Sequence, residues 1–389
     1  MAEPGDEVVS YTLVQMGVWI ELFYDLVFVA AILVFSSAVS HLHDAARIAW
    51  VVAVFSAVWW VWVSTTVFAN RFRMTDLGHR LLVLVQMFCV VLIAIEARSG
   101  ITDDEASLTA TYGLLVATVA LMYWRAAREG GPDVRFARGL AALNAAAAVC
   151  FFVAAPLPEV ARIALAATGM AVMVLPAIVR SGRLAQLPTL DEAHLVERLG
   201  AFTIIVCGES FVKVAIAVSN SSVDGVDVVA LAFQFVLTFA LWASYFEDIP
   251  HAGVDQRRLA PWFGSHLVTQ LGIAGTAIGV SRLVSIGFFE HLPAEDILEI
   301  MATLALVYLG LAGIGACTRR RPIAPLLTLR LATAFAVALV GVGAWKIPWI
   351  DLVEGVALLT VVAVAHAFLV VRLRARTTVV PLRSTAPTS

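Results

Sequence analysis

The segment VWIELFYDLVFVAA, residues 18–31, holds two carboxylates, Glu21 and Asp25, in an otherwise apolar run. Lying four residues apart, they share one face of a helix. Two acids that close in a poor solvent resist joint ionisation, so one is expected to bind a proton, a cation or a basic partner. A second concentration lies in HLVERLGAFTIIVCGESFVKVAIAV, residues 194–218, where Lys213 follows Glu209 by one turn on the same face. Glu before Lys is the favourable order for an intrahelical pair, and a purely structural ion pair is the plain alternative to a coupling site. Gly208 and Ser210 flank Glu209 and leave room for a close helix neighbour or a ligand. In a third apolar run, Arg282 lies deep, with His266 and Gln270 on the same run, and requires a partner.

The elements that must carry these groups follow from composition. The 389 residues are 61% hydrophobic and 14% charged, with a mean hydropathy of +0.90, against roughly 25% charged in a soluble domain. A hydrocarbon core needs about 20 apolar helical residues per crossing. Twelve such runs are predicted: 18–42, 47–69, 80–97, 108–124, 136–155, 159–180, 198–219, 226–247, 264–288, 296–317, 324–345 and 350–371. Residues 1–17 contain no Lys or Arg and no small-residue cleavage site, so they read as a retained tail rather than a signal peptide. A charge inside such a span costs about 2.5–3.5 kcal/mol on the insertion scale, which makes each one a functional candidate. Glu21, Asp25, Glu96 and Glu209 against Lys213 and Arg282 leave an excess of two acids, the argument for proton or cation binding.

Of 26 basic residues, 20 fall on one side of this threading, 4 on the other and 2 within spans. Cytoplasmic loops retain Lys and Arg, so both termini are expected in the cytoplasm. The opposite loops are acidic: TDDE (102–105), VDGVD (223–227) and PAED (293–296). An offset near 180 lays WVWVST (60–65) over ALWASY (240–245), which predicts two six-span halves, 18–190 and 191–371, and a short tail, 372–389. The tryptophans, WWVW (59–62), Trp19, Trp242, Trp262, Trp345 and Trp349, are expected in the interfacial belt. Cys89, Cys150, Cys207 and Cys317 fall in spans without metal-ligand spacing, and HLHD (41–44) points its imidazoles apart on a helix, so neither a metal nor a cofactor is expected. Walker A, GxSxG, HExxH and GxGxxG patterns are missing, which argues against ATP-driven transport and standard hydrolysis.

WIELFYDLVFVAAI and HLVERLGAFTIIVCGES resemble the two best-preserved blocks of the bacterial low temperature requirement A (LtrA) family. Carried onto this chain, those blocks point to Glu21, Phe23, Asp25, His194, Glu197, Arg198, Gly208, Glu209 and Ser210. The resemblance implies a polytopic membrane protein linked to growth in the cold, without a stated reaction. LFYDLVFVAAI (22–32) and ERLGAFT (197–203) are also similar to the F-S-D block of bacterial and lysosomal potassium channels, with Tyr24 and Thr203 in place of Ser and Ile204 in place of the second Asp. TDLGHR (75–80) is similar to the D-R-x-G-R-R loop of the major facilitator superfamily, without its first Arg.

The sequence therefore reads as an all-α, twelve-span protein of the bacterial inner membrane. Its leading function is proton- or cation-coupled secondary transport. Glu209 and Lys213 form the midplane site, Glu21 and Asp25 an exchanging pair, and Arg282 a further charge. His194, Glu197, Arg198, Ser210, His266 and Gln270 stand in support. The expected partners are the bilayer and a small solute or ion, not nucleic acid. The rivals are an ion channel, a membrane scaffold and an intramembrane enzyme acting on lipid.

Overall fold

The computed structural model describes residues 4–39, 44–72, 74, 76–99, 105–178, 190–219, 225–247, 249, 253–286, 294–318, 324–346 and 352–378. Twelve α-helices account for nearly all of them: α1 Pro4–Val39, α2 Ala45–Phe72, α3 Leu77–Ser99, α4 Glu105–Glu129, α5 Val134–Ala154, α6 Glu159–Ile178, α7 Glu192–Ser219, α8 Gly225–Phe246, α9 Leu259–Ile286, α10 Ala294–Ala316, α11 Ala324–Lys346 and α12 Leu352–Thr378. Among the described residues there is no strand beyond a single isolated bridge. Among the described residues, eight helices are long and apolar enough to cross a membrane: α1 to α5, α7, α10 and α11. The first helix begins at Pro4, well before the apolar run that starts at Val18.

Aspartates set several helix starts. Asp44 Oδ1 accepts the Ala46 N–H at 2.9 Å. Asp76 Oδ1 accepts those of Gly78 and His79 at 2.8 and 3.2 Å. Asp191 Oδ1 accepts those of Ala193 and His194 at 3.0 and 3.4 Å. Each satisfies donors that a helix N-terminus leaves unmet. Asp76 also takes Arg125 Nη2 at 2.6 Å, from the end of α4. That guanidinium holds the Asp76 carboxyl below the usual carboxylate range. The α4–α5 turn uses Gly130 and Gly131 at φ +83° and +96°, a region that a side chain disfavours.

The chain forms two compact units, Met1–Lys213 with Gln256–Leu267, and Val214–Asp255 with Val268–Ser389. In the first, α4 packs on α3 and α5, α5 on α6, and α1 on α2 and α3. Its core is strongly aromatic: Phe28, Trp59, Trp62, Phe68 and Phe202 are fully buried. Trp59, Trp62 and Trp262 thus depart from the interfacial belt expected of them, because their indoles fill the interior between helices; Trp19 and Trp242 remain exposed. The side chains of Trp345 and Trp349 lie outside the described residues, as do His41, His43 and most of the acidic loops.

In the second unit, α8 packs on α12 and α11 on α10 and α12. Gly272, Gly275 and Gly279 bring α9 against α10. A Cβ on Gly272 would stand 2.7 Å from the Thr303 carbonyl oxygen and the Val307 nitrogen. Small residues allow this approach where lipid supplies no hydrophobic drive between helices. Large apolar side chains, Phe88 at 64% exposure and Phe335 at 66% among them, point outward. Such ridges suit hydrocarbon rather than water.

Candidate functional site

Helices α1 and α7 meet along a seam of constant register. His194 Nε2 lies 3.0 Å from Glu21 Oε2, Arg198 holds Asp25, and Ser36 Oγ stands 2.7 Å from Glu209 Oε1; each pair is 173 residues apart. An unchanging separation means that the two helices run parallel. The i, i+4 spacing of Glu21 with Asp25 is matched by that of His194 with Arg198, so two acids face two bases.

The N-terminal end of the seam is a continuous polar network. Asn70 on α2 exchanges hydrogen bonds with the Asp191 backbone, donating to its oxygen at 2.9 Å and accepting from its N–H at 3.0 Å. Its amide stands 3.1 Å from His194 Nδ1, whose other nitrogen meets Glu21. Arg198 Nε lies 3.3 Å from Glu21 Oε2. The same guanidinium donates through Nη1 to Asp25 Oδ2 at 2.5 Å and through Nη2 to Oδ1 at 2.8 Å. Trp62 Nε1 donates to Asp25 Oδ1 at 2.8 Å, and the Arg198 cation sits 5.6 Å from the Trp62 ring. Asp25 is fully buried and Arg198 nearly so. The bidentate fork is the geometry that best offsets burial of such a pair.

Next along the seam, rings replace charges. Tyr24 meets Phe28 edge to face at 5.2 Å, Phe28 meets Phe202 at 5.9 Å, and Phe202 meets Trp62 at 4.7 Å. Past this aromatic layer stands Glu209, about 16 Å along the axis from Arg198 at about 1.5 Å per residue. It is 1% exposed; Oε1 stands 2.7 Å from the Ser36 hydroxyl, which also reaches the Ile32 carbonyl at 2.5 Å, whereas Oε2 has no hydrogen-bond partner among the described residues. Lys213, one turn on, acts on it electrostatically. Ser210 turns back to the Val206 carbonyl at 3.1 Å. Glu197 is exposed on the outer face of α7.

His266 lies in the first unit, with Nδ1 donating to the Trp262 carbonyl at 2.9 Å. Gln270 and Arg282 belong to the second unit. Gln270 is buried there, and Arg282 Nη1 donates to Glu299 Oε2 at 2.6 Å, which supplies the partner its depth requires.

These pairings change the charge balance. Arg198 and Arg330, two of the 20 basic residues that the threading assigns to the cytoplasmic side, are 6% and 0% exposed. The buried charged set, His aside, is Asp25 and Glu209 against Arg198, Arg282 and Arg330 among the described residues, so no excess of acids remains. Sequence reasoning also missed Ser36, Trp62 and Asn70. Trp62 lay in a cluster that composition assigns to the interface, and a serine or asparagine in an apolar run carries no periodic signal.

The family model for the bacterial low temperature requirement A protein (LtrA) matches residues 18–371. The chain is also 28% identical over 248 residues to a Rhizobium meliloti (strain 1021) protein described as uncharacterized protein RA0937. That match spans 61% of this chain and 59% of the relative's length. Both family blocks lie on the α1–α7 seam, and with the match running from the first apolar helix to the last, the chain belongs to the bacterial LtrA family of membrane proteins.

Proposed function

We propose that this LtrA protein is a secondary transporter of the bacterial inner membrane, coupled to a proton or another cation, with Glu209 as the coupling carboxyl. The observation that carries the reading is the Glu209 carboxylate, buried with one oxygen held by Ser36 and the other without a hydrogen-bond partner among the described residues. A carboxyl in that state has a vacant acceptor at which a proton or cation can arrive and leave. Lys213 balances the charge when the site is empty, and a bound proton or cation releases that balance.

The Glu21–His194 and Asp25–Arg198 pairs close the cytoplasmic end of the seam, with the Phe28–Phe202 layer as the barrier between them and Glu209. In this mechanism the less buried Glu21–His194 pair faces the solvent end of the seam, whereas Asp25 stays ionised against Arg198. Arg282 with Glu299 serves as a structural pair. All twelve helices cross the membrane, with both termini in the cytoplasm and two six-span halves. A parallel α1 and α7 support that threading, because an odd number of crossings, here the five of α2 to α6, must lie between two spans of the same direction, and the 20-to-4 bias of basic residues supports the orientation. The family description ties the role to growth at low temperature.

Proteoliposome uptake with a panel of solutes tests the reading. Saturable uptake driven by an imposed pH or cation gradient is expected, and Glu209→Gln is expected to abolish the coupling. Gradient-driven uptake at the wild-type rate by a folded Glu209→Gln protein would reject Glu209 as the coupling group, and single-channel conductance in a planar bilayer would identify a pore instead.

A further inference from the structure

Buried polar side chains from four helices of the second unit converge around His366. Ser244 on α8, Tyr308 on α10 and Arg330 on α11 are 0% exposed, and His366 on α12 is 1% exposed. Ser244 Oγ donates to the Ala240 carbonyl at 2.7 Å and stands 3.1 Å from His366 Nδ1. A hydroxyl has one proton. With that proton on Ala240, the second contact is made by His366 Nδ1–H donating to Ser244, which leaves Nε2 as an acceptor.

His366 Nε2 and Tyr308 Oη have no hydrogen-bond partner among the described residues, and their rings stand 4.6 Å apart, edge to face. Arg330 Nη1 donates to the Leu311 carbonyl at 3.1 Å. Leu311 follows Tyr308 by three residues and so shares its face of α10. The Arg330 charge is felt at His366. Buried polar atoms are nearly always met in native proteins, so an acceptor and a hydroxyl left open side by side near a buried cation call for a ligand.

We propose that Arg330, Tyr308 and His366 form a binding site for a small oxyanion that still carries an O–H, the class of hydrogen carbonate, dihydrogen phosphate and 2-hydroxycarboxylates. The guanidinium opposes the ligand's charge, the Tyr308 hydroxyl donates to an anionic oxygen, and His366 Nε2 accepts the ligand's O–H. A lipid phosphodiester and a halide lack that proton donor and are excluded on the same chemistry. The site does not depend on the transport reading, since it concerns other residues and is detected by binding alone.

The test uses the full chain in phosphatidylcholine nanodiscs near neutral pH, following the thermal unfolding midpoint against sodium phosphate, bicarbonate and lactate, with acetate, chloride and sulfate at matched ionic strength. At least one donor-bearing anion is expected to raise the midpoint saturably, with the controls at least tenfold weaker. Tyr308→Phe and His366→Phe, which keep the rings, are each expected to weaken half-saturation tenfold or more, and Asp76→Asn, in the other unit, to leave it unchanged. The proposal is overturned if no donor-bearing probe saturates, if sulfate acts equally, or if both ring-preserving variants bind as the wild type does.

Discussion

Asp25 and Glu209 are both acids inside an apolar helix pair, on the same α1–α7 seam, yet their surroundings differ in the number of donors they receive. Asp25 takes two from Arg198 and one from Trp62, with a full counter-charge at 2.5 Å. Glu209 has one neutral serine beside it, whose single proton is shared with the Ile32 carbonyl. Burial alone therefore does not mark a working group. A carboxylate with its lone pairs occupied by rigid donors holds helices in register, and one with a vacant oxygen can change its occupant. The N-terminal end of the seam is accordingly assigned to holding and closing, and the stretch past the aromatic layer to exchange.

The sharpest way to break that comparison is to unpair Asp25. Arg198→Ala leaves a buried carboxylate without its counter-charge, and a loss of about 3–5 kcal/mol is expected, seen as a collapse of folded yield and unfolding midpoint. A stability near wild type would mean that Asp25 is neutral without Arg198. Trp62→Phe keeps the ring near Phe202 but removes one donor to a charged acceptor, and about 1.5–3 kcal/mol should be lost. Chemical unfolding in mixed micelles measures it, and no loss would show that the guanidinium alone suffices.

Asp76 offers an exposed counterpart, an acid paired with Arg125 in solvent rather than in the interior. Asp76→Ala should cost about 1 kcal/mol, mostly through the lost N-cap of α3. Its carboxyl is held below the ordinary value of 3.8, so the ionised form is the one favoured by folding. The pairing thus contributes above that value and is lost as pH falls through the lower folded value. A wild-type advantage over Asp76→Asn that grew on acidification would contradict the pairing. The smallest stability effect is expected at Glu209→Gln, under about 1 kcal/mol, because the amide retains the Ser36 contact. A large loss there would make Glu209 a structural group like Asp25.

Much of the fold was legible because apolar length is a one-dimensional property. Each of the twelve predicted runs overlaps one helix, eight of them long and apolar enough among the described residues to cross a membrane, and the i, i+4 placement of Glu21 with Asp25 follows from helical period alone. Neighbours across helices were not legible, since periodicity gives a face but not what faces it. Arg198 was grouped with the basic loop before the seventh run, although four residues of helix after His194 carry it inward to Asp25. Arg330 was hidden in the same way. Trp62 was misplaced because a tryptophan cluster looks the same at a membrane interface and in a packed aromatic core, and only Asp25 opposite its indole N–H distinguishes the two.

The central claim is that Glu209 exchanges its proton while Asp25 does not. Infrared difference spectroscopy of the reconstituted protein across a pH step reads this directly, through the C=O stretch of a protonated carboxyl. A titrating carboxyl band is predicted in the wild type, absent in Glu209→Gln and retained in any Asp25→Asn protein that folds. A band that survives in Glu209→Gln and disappears in Asp25→Asn would reverse the assignment of the two acids.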